Sequence, residues 1–195
     1  MSLGVRVVEE IADPGGRPPA PGRLRLVQRF VNTLDLEHGR EVYGSPLALA
    51  RYLERLGLMP GRLDEADLEK ALGLREALRA LVLANSGFPP DAGATLVLER
   101  AARDARLTLL FDARGNAELV PQERGIDGVL GTLVAAVYAA VEQGTWPRLK
   151  ACRRDVCHWV FWDASRNRSG TWCHMAVCGN RTKTRAYRRR RAAEG

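Results

Sequence analysis

Four cysteines constrain this chain more than any other feature, because all of them fall in one short stretch: Cys152, Cys157, Cys173 and Cys178. They form two C-x4-C pairs separated by 15 residues, and the pairs are alike, Cys152-Arg-Arg-Asp-Val-Cys157 and Cys173-His-Met-Ala-Val-Cys178. Two similar turns approaching one ion from opposite sides are how tetrahedral thiolate sites are built. With Zn–S distances of ~2.3 Å, the sulfurs must gather within roughly 4 Å of one another, a spacing that a tight turn can reach. From Arg148 onward aliphatic side chains are few, so this segment cannot bury enough surface to fold alone. A structural zinc supplies roughly 10–16 kcal/mol in small metal domains and closes that gap. The expectation is one structural Zn²⁺ per chain.

Other arrangements use the same residues: four unligated buried thiols, a pair of disulfides, or three cysteines with one histidine, His158 or His174. A soluble cytoplasmic protein, the default for this chain, keeps its thiols reduced, which counts against disulfides. Each histidine directly follows a cysteine, and a residue adjacent to a ligand usually points away from the ion. Four sulfurs are therefore preferred, and a closed site of that kind has no open position for water, which makes it structural rather than catalytic. Between the pairs, His158 to Trp162 suits a strand, Ser165 to Gly170 a polar turn and Thr171-Trp172 a return strand, after which a helix starts near Gly179-Asn180.

The charge is just as unevenly placed. Residues from Arg148 to the end hold 13 Lys+Arg against 3 Asp+Glu, net +10, whereas residues 1 to 147 are net −3. Such asymmetry calls for a polyanionic partner, most often nucleic acid. Asn180 can cap a helix on which Arg181, Arg185, Arg188 and Arg189 share a face, with Lys183 and Arg190 toward the other side. The turn Ser165-Arg166-Asn167-Arg168-Ser169 adds short donors suited to phosphate oxygens, and Arg153 and Arg154 could do the same. The candidate nucleic-acid contacts are thus Arg166, Arg168, Arg181, Lys183, Arg185, Arg188 and Arg189. Charge alone does not separate DNA from RNA; an acidic protein partner, or a merely solvated basic terminus, fits it too.

Ahead of this region the pattern is mainly α-helical with one β-hairpin, an α+β domain. Residues 1–23 are rich in proline and glycine and read as a flexible arm. Val27, Phe30, Val31 and Leu34 share a helical face over Arg25 to Leu34. Ser45-Pro46 starts a helix that Gly57 ends, and Asp64 caps one running to about Asn85. Another helix reaches about Asp104. Leu107 to Phe111 and Ala117 to Val120 flank a turn-rich connection and suggest a hairpin. Ile126 to Gln143 is an apolar helix, too short in its apolar core to span a bilayer, and Gly144-Thr145-Trp146-Pro147 breaks it. The expected organisation is an arm (1–23), a helical domain (24–147) and a small cysteine module of hairpin plus basic helix (148–195). Asn32 and Thr33 interrupt an apolar helix, either as caps for neighbouring backbone or as a candidate ligand pocket for a small-molecule effector.

These motifs resemble a known family. Trp172-Cys173-His174-Met175-Ala176-Val177-Cys178-Gly179-Asn180-Arg181 is similar to the CGNR zinc finger, named for the literal Cys178-Gly179-Asn180-Arg181. Phe161, Asp163, Ser165, Arg166 and Asn167 match its F-x-D-x-S-R-N segment. Phe30-Val31-Asn32-Thr33-Leu34 and Leu74-Arg75-Glu76-Ala77-Leu78-Arg79 resemble the ABATE domain that precedes such fingers. The sequence departs from the pattern at Gly170-Thr171, where basic residues are expected. The resemblance implies a bacterial, stress-induced transcription regulator that binds DNA through a zinc finger. No H-E-x-x-H, nucleophile elbow or phosphate-binding glycine loop occurs, so no enzymatic activity is expected. No secretory signal or membrane anchor is expected either.

Overall fold

A computed structural model describes residues 6–182, Thr184 and Arg191. The body is helical. Helix α1 (Leu24–Val31) buries Leu24, Val27, Phe30 and Val31. In α2 (Pro46–Arg55) Ser45 is the N-cap, its hydroxyl accepting from the Ala48 N–H at 3.2 Å, with Pro46 in the first turn. Helix α3 (Glu65–Asn85) opens with a capping box in which Asp64 and Asp67 each accept the other's backbone N–H. Asp91 caps α4 (Ala92–Asp104) through the Gly93 and Ala94 N–H groups. Helix α5 (Gly125–Glu142) is long and apolar enough to cross a membrane by composition, but much of it is buried against α1 and α4. Gly131 permits that approach, since a Cβ there would lie 2.3 Å from the Ala105 methyl.

Short strands fill the remainder. In the N-terminal segment, β1 (Arg6–Val7) pairs in parallel with β3 (Arg40–Glu41), which pairs antiparallel with β2 (Leu34–Asp35). Residues 6–23, expected as a flexible arm, therefore lie along the body: Ala20 is buried, and the Arg17 guanidinium donates to the Trp172 carbonyl at 2.8 Å. Leu34, expected on α1, lies in β2 instead, because the helix closes at Asn32 with the Thr33 hydroxyl donating to the Phe30 carbonyl. Strands β4 (Thr108–Phe111) and β5 (Ala117–Val120) form the expected hairpin, whose turn Asp112 organises by accepting from the Arg114 and Asn116 N–H groups.

The buried arginines of the Leu74–Arg79 segment join the layers. Arg75 is 3% exposed and meets Glu41 at 2.7 Å, while Arg79 donates to the Val31 carbonyl at 2.8 Å. Both share Glu76, so each buried charge is paired.

The last sheet differs from the sequence-based expectation. Strand β7 (Val160–Trp162) pairs with β6 (Leu149–Ala151), which precedes the first cysteine, and not with Thr171-Trp172. Leu149, Ala151 and Val160 are fully buried and belong to the main core with α1, α3 and α5. Asn32 reinforces this join: its amide both donates to the Val160 carbonyl and accepts the Val160 N–H, each at 2.8 Å. Asn85 donates to the Trp146 and Leu149 carbonyls, and Ser86 accepts the Ala151 N–H. The cysteine segment thus grows out of the helical core. Asn32→Ala would leave the buried Val160 N–H without a partner and its carbonyl with only the 3.4 Å bond from the Gln28 amide, an expected loss of about 1–3 kcal/mol. A melting curve tests it: each kcal/mol lowers the midpoint of a chain this size by about 2–4 °C, and an unchanged midpoint would mean that Asn32 does not clamp β7.

Candidate metal centre and its basic surroundings

The four cysteine sulfurs lie within 4.8 Å of one another, and all four residues are buried. Three separations are 3.6 Å (Cys173–Cys178), 3.7 Å (Cys157–Cys173) and 3.9 Å (Cys157–Cys178). The edge of a tetrahedron with ~2.3 Å Zn–S bonds is about 3.8 Å, so the cluster has the size of one zinc site. The first turn hangs from the end of β6: the Cys152 N–H donates to the Trp159 carbonyl, and the Cys157 N–H to that of Arg154. His158, with φ of 47°, then turns the chain back into β7. The second turn is one turn of π-helix, Met175–Gly179, in which the His174 carbonyl accepts from the Gly179 N–H at 3.4 Å and from the Cys178 N–H at 2.9 Å. Gly179 packs closely here: a Cβ would lie 2.5 Å from the Met175 sulfur, which would have to swing aside, and 3.1 Å from the Trp172 ring. The chain passes directly into helix at Asn180.

The proton balance of the cluster suits a cation. Hydrogen bonds from Cys157 and Cys173, joined by the backbone N–H groups of Cys173 and Arg154, lower Cys152 far below the ordinary thiol range against the effect of burial. Those same bonds push Cys157 and Cys173 up, while burial and the Cys152 charge raise Cys178. Four crowded sulfurs cannot all ionise unaided, and a divalent ion at their centre relieves the repulsion. Neither histidine joins the set. The His158 ring packs edge-on against Phe88 with centroids 5.6 Å apart, and His174 faces the N-terminal segment at Gly16. Among the described residues, the four cysteines are the only His/Cys/Asp/Glu group gathered closely enough to hold an ion.

A second construction supports the loop after β7. Asp163 is fully buried and accepts from the Lys150 ammonium (3.0 Å), the Ser165 hydroxyl (2.6 Å) and N–H (3.1 Å), and the Gly170 N–H (2.7 Å). Burial raises its pKa, but the bonds from Ser165, Lys150 and Gly170 outweigh burial and hold it at about 2. Gly170, the departure from the family pattern, has a steric reason: a Cβ would meet the Asp163 carboxylate at 2.7–2.8 Å. Arg148 adds bonds to the Asp163 and Ser165 carbonyls. The sequence pattern F-x-D-x-S carries this construction, yet only the structure assigns Asp163 and Lys150 their parts.

The basic residues occupy different situations. Arg166 and Arg168 stand exposed on the loop that Asp163 staples, where Arg168 adopts φ of 51°. Arg181 is exposed but pairs with Glu37 at 2.7 Å, and Glu37 also meets Arg154 of the first cysteine turn. Lys183, Arg185, Arg188 and Arg189 lie outside the described residues. Glu37 itself, in the turn between β2 and β3, carried no sequence signal. Asn32 and Thr33 border a cleft of about 480 Å³ between α1 and the N-terminal segment from Glu10 to Pro19, with Arg25, Arg29, Tyr52 and Trp159 also in its wall. Their own polar atoms are engaged by Val160, Phe30 and Arg75, so both act as backbone clamps at its wall.

Comparison with known proteins gives two matches. Residues 24–144 match the family ABATE, described as "Putative stress-induced transcription regulator", and residues 148–191 match the CGNR zinc finger. No curated protein gives a match.

Proposed function

The chain belongs to the ABATE family and carries a CGNR zinc finger at its C-terminal side, and from that premise we propose that it is a zinc-dependent DNA-binding transcription regulator. The observation that carries this reading is the coincidence of charge and metal. The net +10 quarter of the chain is the part built around the four sulfurs, and its exposed loop presents Arg166 and Arg168. Zinc would hold the two turns, Asp163 the loop, and the helix begun at Asn180 would continue the basic surface. Phosphate contacts from such a surface supply affinity and a strong salt dependence. In this reading the protein is a cytoplasmic binder without a catalytic step. Its N-terminal domain senses a small molecule in the cleft beside Asn32 and Thr33, where an occupant would touch both α1 and Trp159, two residues from Cys157.

Titration of zinc-loaded full-length protein against duplex DNA, structured RNA and polyglutamate over a salt series tests the assignment. DNA should bind most tightly, with an affinity that falls steeply as salt rises. Preference for RNA would favour a zinc-stabilised RNA-binding protein, and binding of polyglutamate alone a module for an acidic partner.

Glu37 gives a sharper expectation. It neutralises Arg154 and Arg181 within the molecule, so a phosphate must displace it. Glu37→Gln should raise DNA affinity by roughly threefold to tenfold at low salt and steepen the salt slope by about one for each further phosphate neutralised. Fluorescence anisotropy on labelled duplex reads both; unchanged affinity at full zinc content would show that Glu37 does not compete.

A further inference from the structure

One face of the β4–β5 hairpin is wholly apolar, and the other mixes Leu110 and Val120 with Thr108 and Glu118. Leu109 and Phe111 share one face with Leu119; Leu110 and Val120 share the other. A hairpin lying on its own body normally alternates apolar inside and polar outside. Here all four residues of β4 are exposed, Leu109 at 48%, Leu110 at 52% and Phe111 at 70%. Tyr138 and Val141 of α5 are exposed as well, and Tyr138 shares a cleft with these leucines and Phe111. Strand β4 also has an open edge, since β5 is its only partner among the described residues. That edge contains no charge, proline or bulge, the devices that keep a free edge from pairing.

The backbone alternation selects how the edge is filled. The Asp112 N–H donates to the Asn116 carbonyl in the same register that aligns Leu110 with Glu118 and Thr108 with Val120. In an antiparallel ladder these are the bonded pairs, so Leu109 and Phe111 turn their N–H and C=O groups outward. A second copy related by a two-fold axis at Leu109 would place Leu109 against Leu109, and Phe111 against Leu107. The Leu107 N–H is committed to the Ala102 carbonyl, which leaves its C=O for the Phe111 N–H. In that register Arg106, whose φ of 49° turns the chain from α4 toward the strand, comes to the level of Asp112 of the other copy, at both ends of the paired strands. Opposite charges brought near each other attract even at a surface, and both residues are exposed. Arg106 meets Glu123 at 3.4 Å within its own chain, an exposed contact that leaves guanidinium donors to spare. Backbone, apolar faces and flanking charges thus agree on one register and one occupant.

We infer that the protein forms a two-fold dimer through β4, joining two hairpins into a four-stranded antiparallel sheet centred on Leu109. The closed symmetry explains why this contact stops at two copies. The inference stands apart from the proposed function, since it uses no residue of the finger. If both hold, the dimer carries two basic modules, as proteins that read palindromic sites do.

Sedimentation velocity on the zinc-loaded full chain tests it. The wild type should sediment as a dimer at concentrations of about 10 μM and above, within the range of a modest specific interface. Leu109→Lys sets two ammonium groups against each other on the axis and should weaken the dimer at least about tenfold. Arg106→Glu faces Asp112 with a like charge, and its weaker defect should shrink as salt screens the repulsion. Both positions are exposed, so circular dichroism should show unchanged helix content in each variant. A wild type that remains monomeric at about 100 μM, or a dimer that Leu109→Lys leaves intact, would overturn the proposal.

Discussion

Cys173→Ser is expected to remove the bound zinc and the order of both cysteine turns while the helical body stays folded. Cys173 lies 3.6–3.7 Å from the Cys178 and Cys157 sulfurs, so a serine there takes one donor of four from the middle of the cluster. A structural zinc is worth roughly 10–16 kcal/mol to a small module. Zinc should fall from one equivalent to less than about half an equivalent after dialysis. Loss of order should stop short of the β6–β7 hairpin, because Leu149, Ala151 and Val160 are packed into the main core and Asn32 holds Val160. Tryptophans give the readout. Trp159 and Trp172 pack with the cysteines, whereas Trp146 and Trp162 pack on the helical core. Quenching should therefore rise for the first pair only. Full zinc retention in the variant would exclude a four-sulfur site.

Asp163→Ala should be strongly destabilising, on the scale of truncating a large core side chain. It would leave the Lys150 ammonium, with a side chain only 10% exposed, without its counter-charge, and the Ser165 and Gly170 N–H groups without an acceptor. Breaking a buried pair from one side costs about 3–5 kcal/mol, or roughly 6–20 °C in the melting midpoint at about 2–4 °C per kcal/mol. Adding Lys150→Met should recover part of that loss, since the stranded charge is then gone. The same carboxylate predicts a response to acid. With its pKa held at about 2 in the folded protein and ~3.9 when unfolded, its contribution is complete above about pH 4. It is lost as the pH falls toward about 2. Asp163→Asn should flatten the stability curve over that window, and an unaltered acid transition would mean that another group carries it.

The zinc centre was legible because its chemistry is local. Spacing of Cys152, Cys157, Cys173 and Cys178 is enough to define the chelate, and the neighbouring histidines face away as adjacency suggests. Helices α2, α3 and α5 were legible through caps or periodicity, with Ser45 and Asp64 acting as the expected caps, whereas the Asp91 cap of α4 emerges only from the structure. What stayed hidden depends on distant pairing. The sequence could not align Val160–Trp162 with Leu149–Ala151, because a strand of three residues has no period of its own and either neighbour could serve as partner. Nor could it show that Asn32 imitates a strand for Val160, 128 positions away. Residues 6–23 looked unanchored because two-residue strands leave no pattern. Gly170 looked like a lost basic contact until the Asp163 carboxylate occupied the space a side chain would need.

The central claim, that zinc on four sulfurs organises a DNA-binding surface, is tested most directly by one titration. Metal-free full-length protein, kept reduced, is loaded stepwise with cobalt(II) in the presence of labelled duplex DNA, and the visible absorption of tetrahedral thiolate cobalt is recorded together with anisotropy. The expected result is that both signals rise together and saturate at one equivalent per chain, and that zinc replaces cobalt without loss of DNA binding. DNA binding already complete before metal is added, or absent once the site is filled, would contradict it.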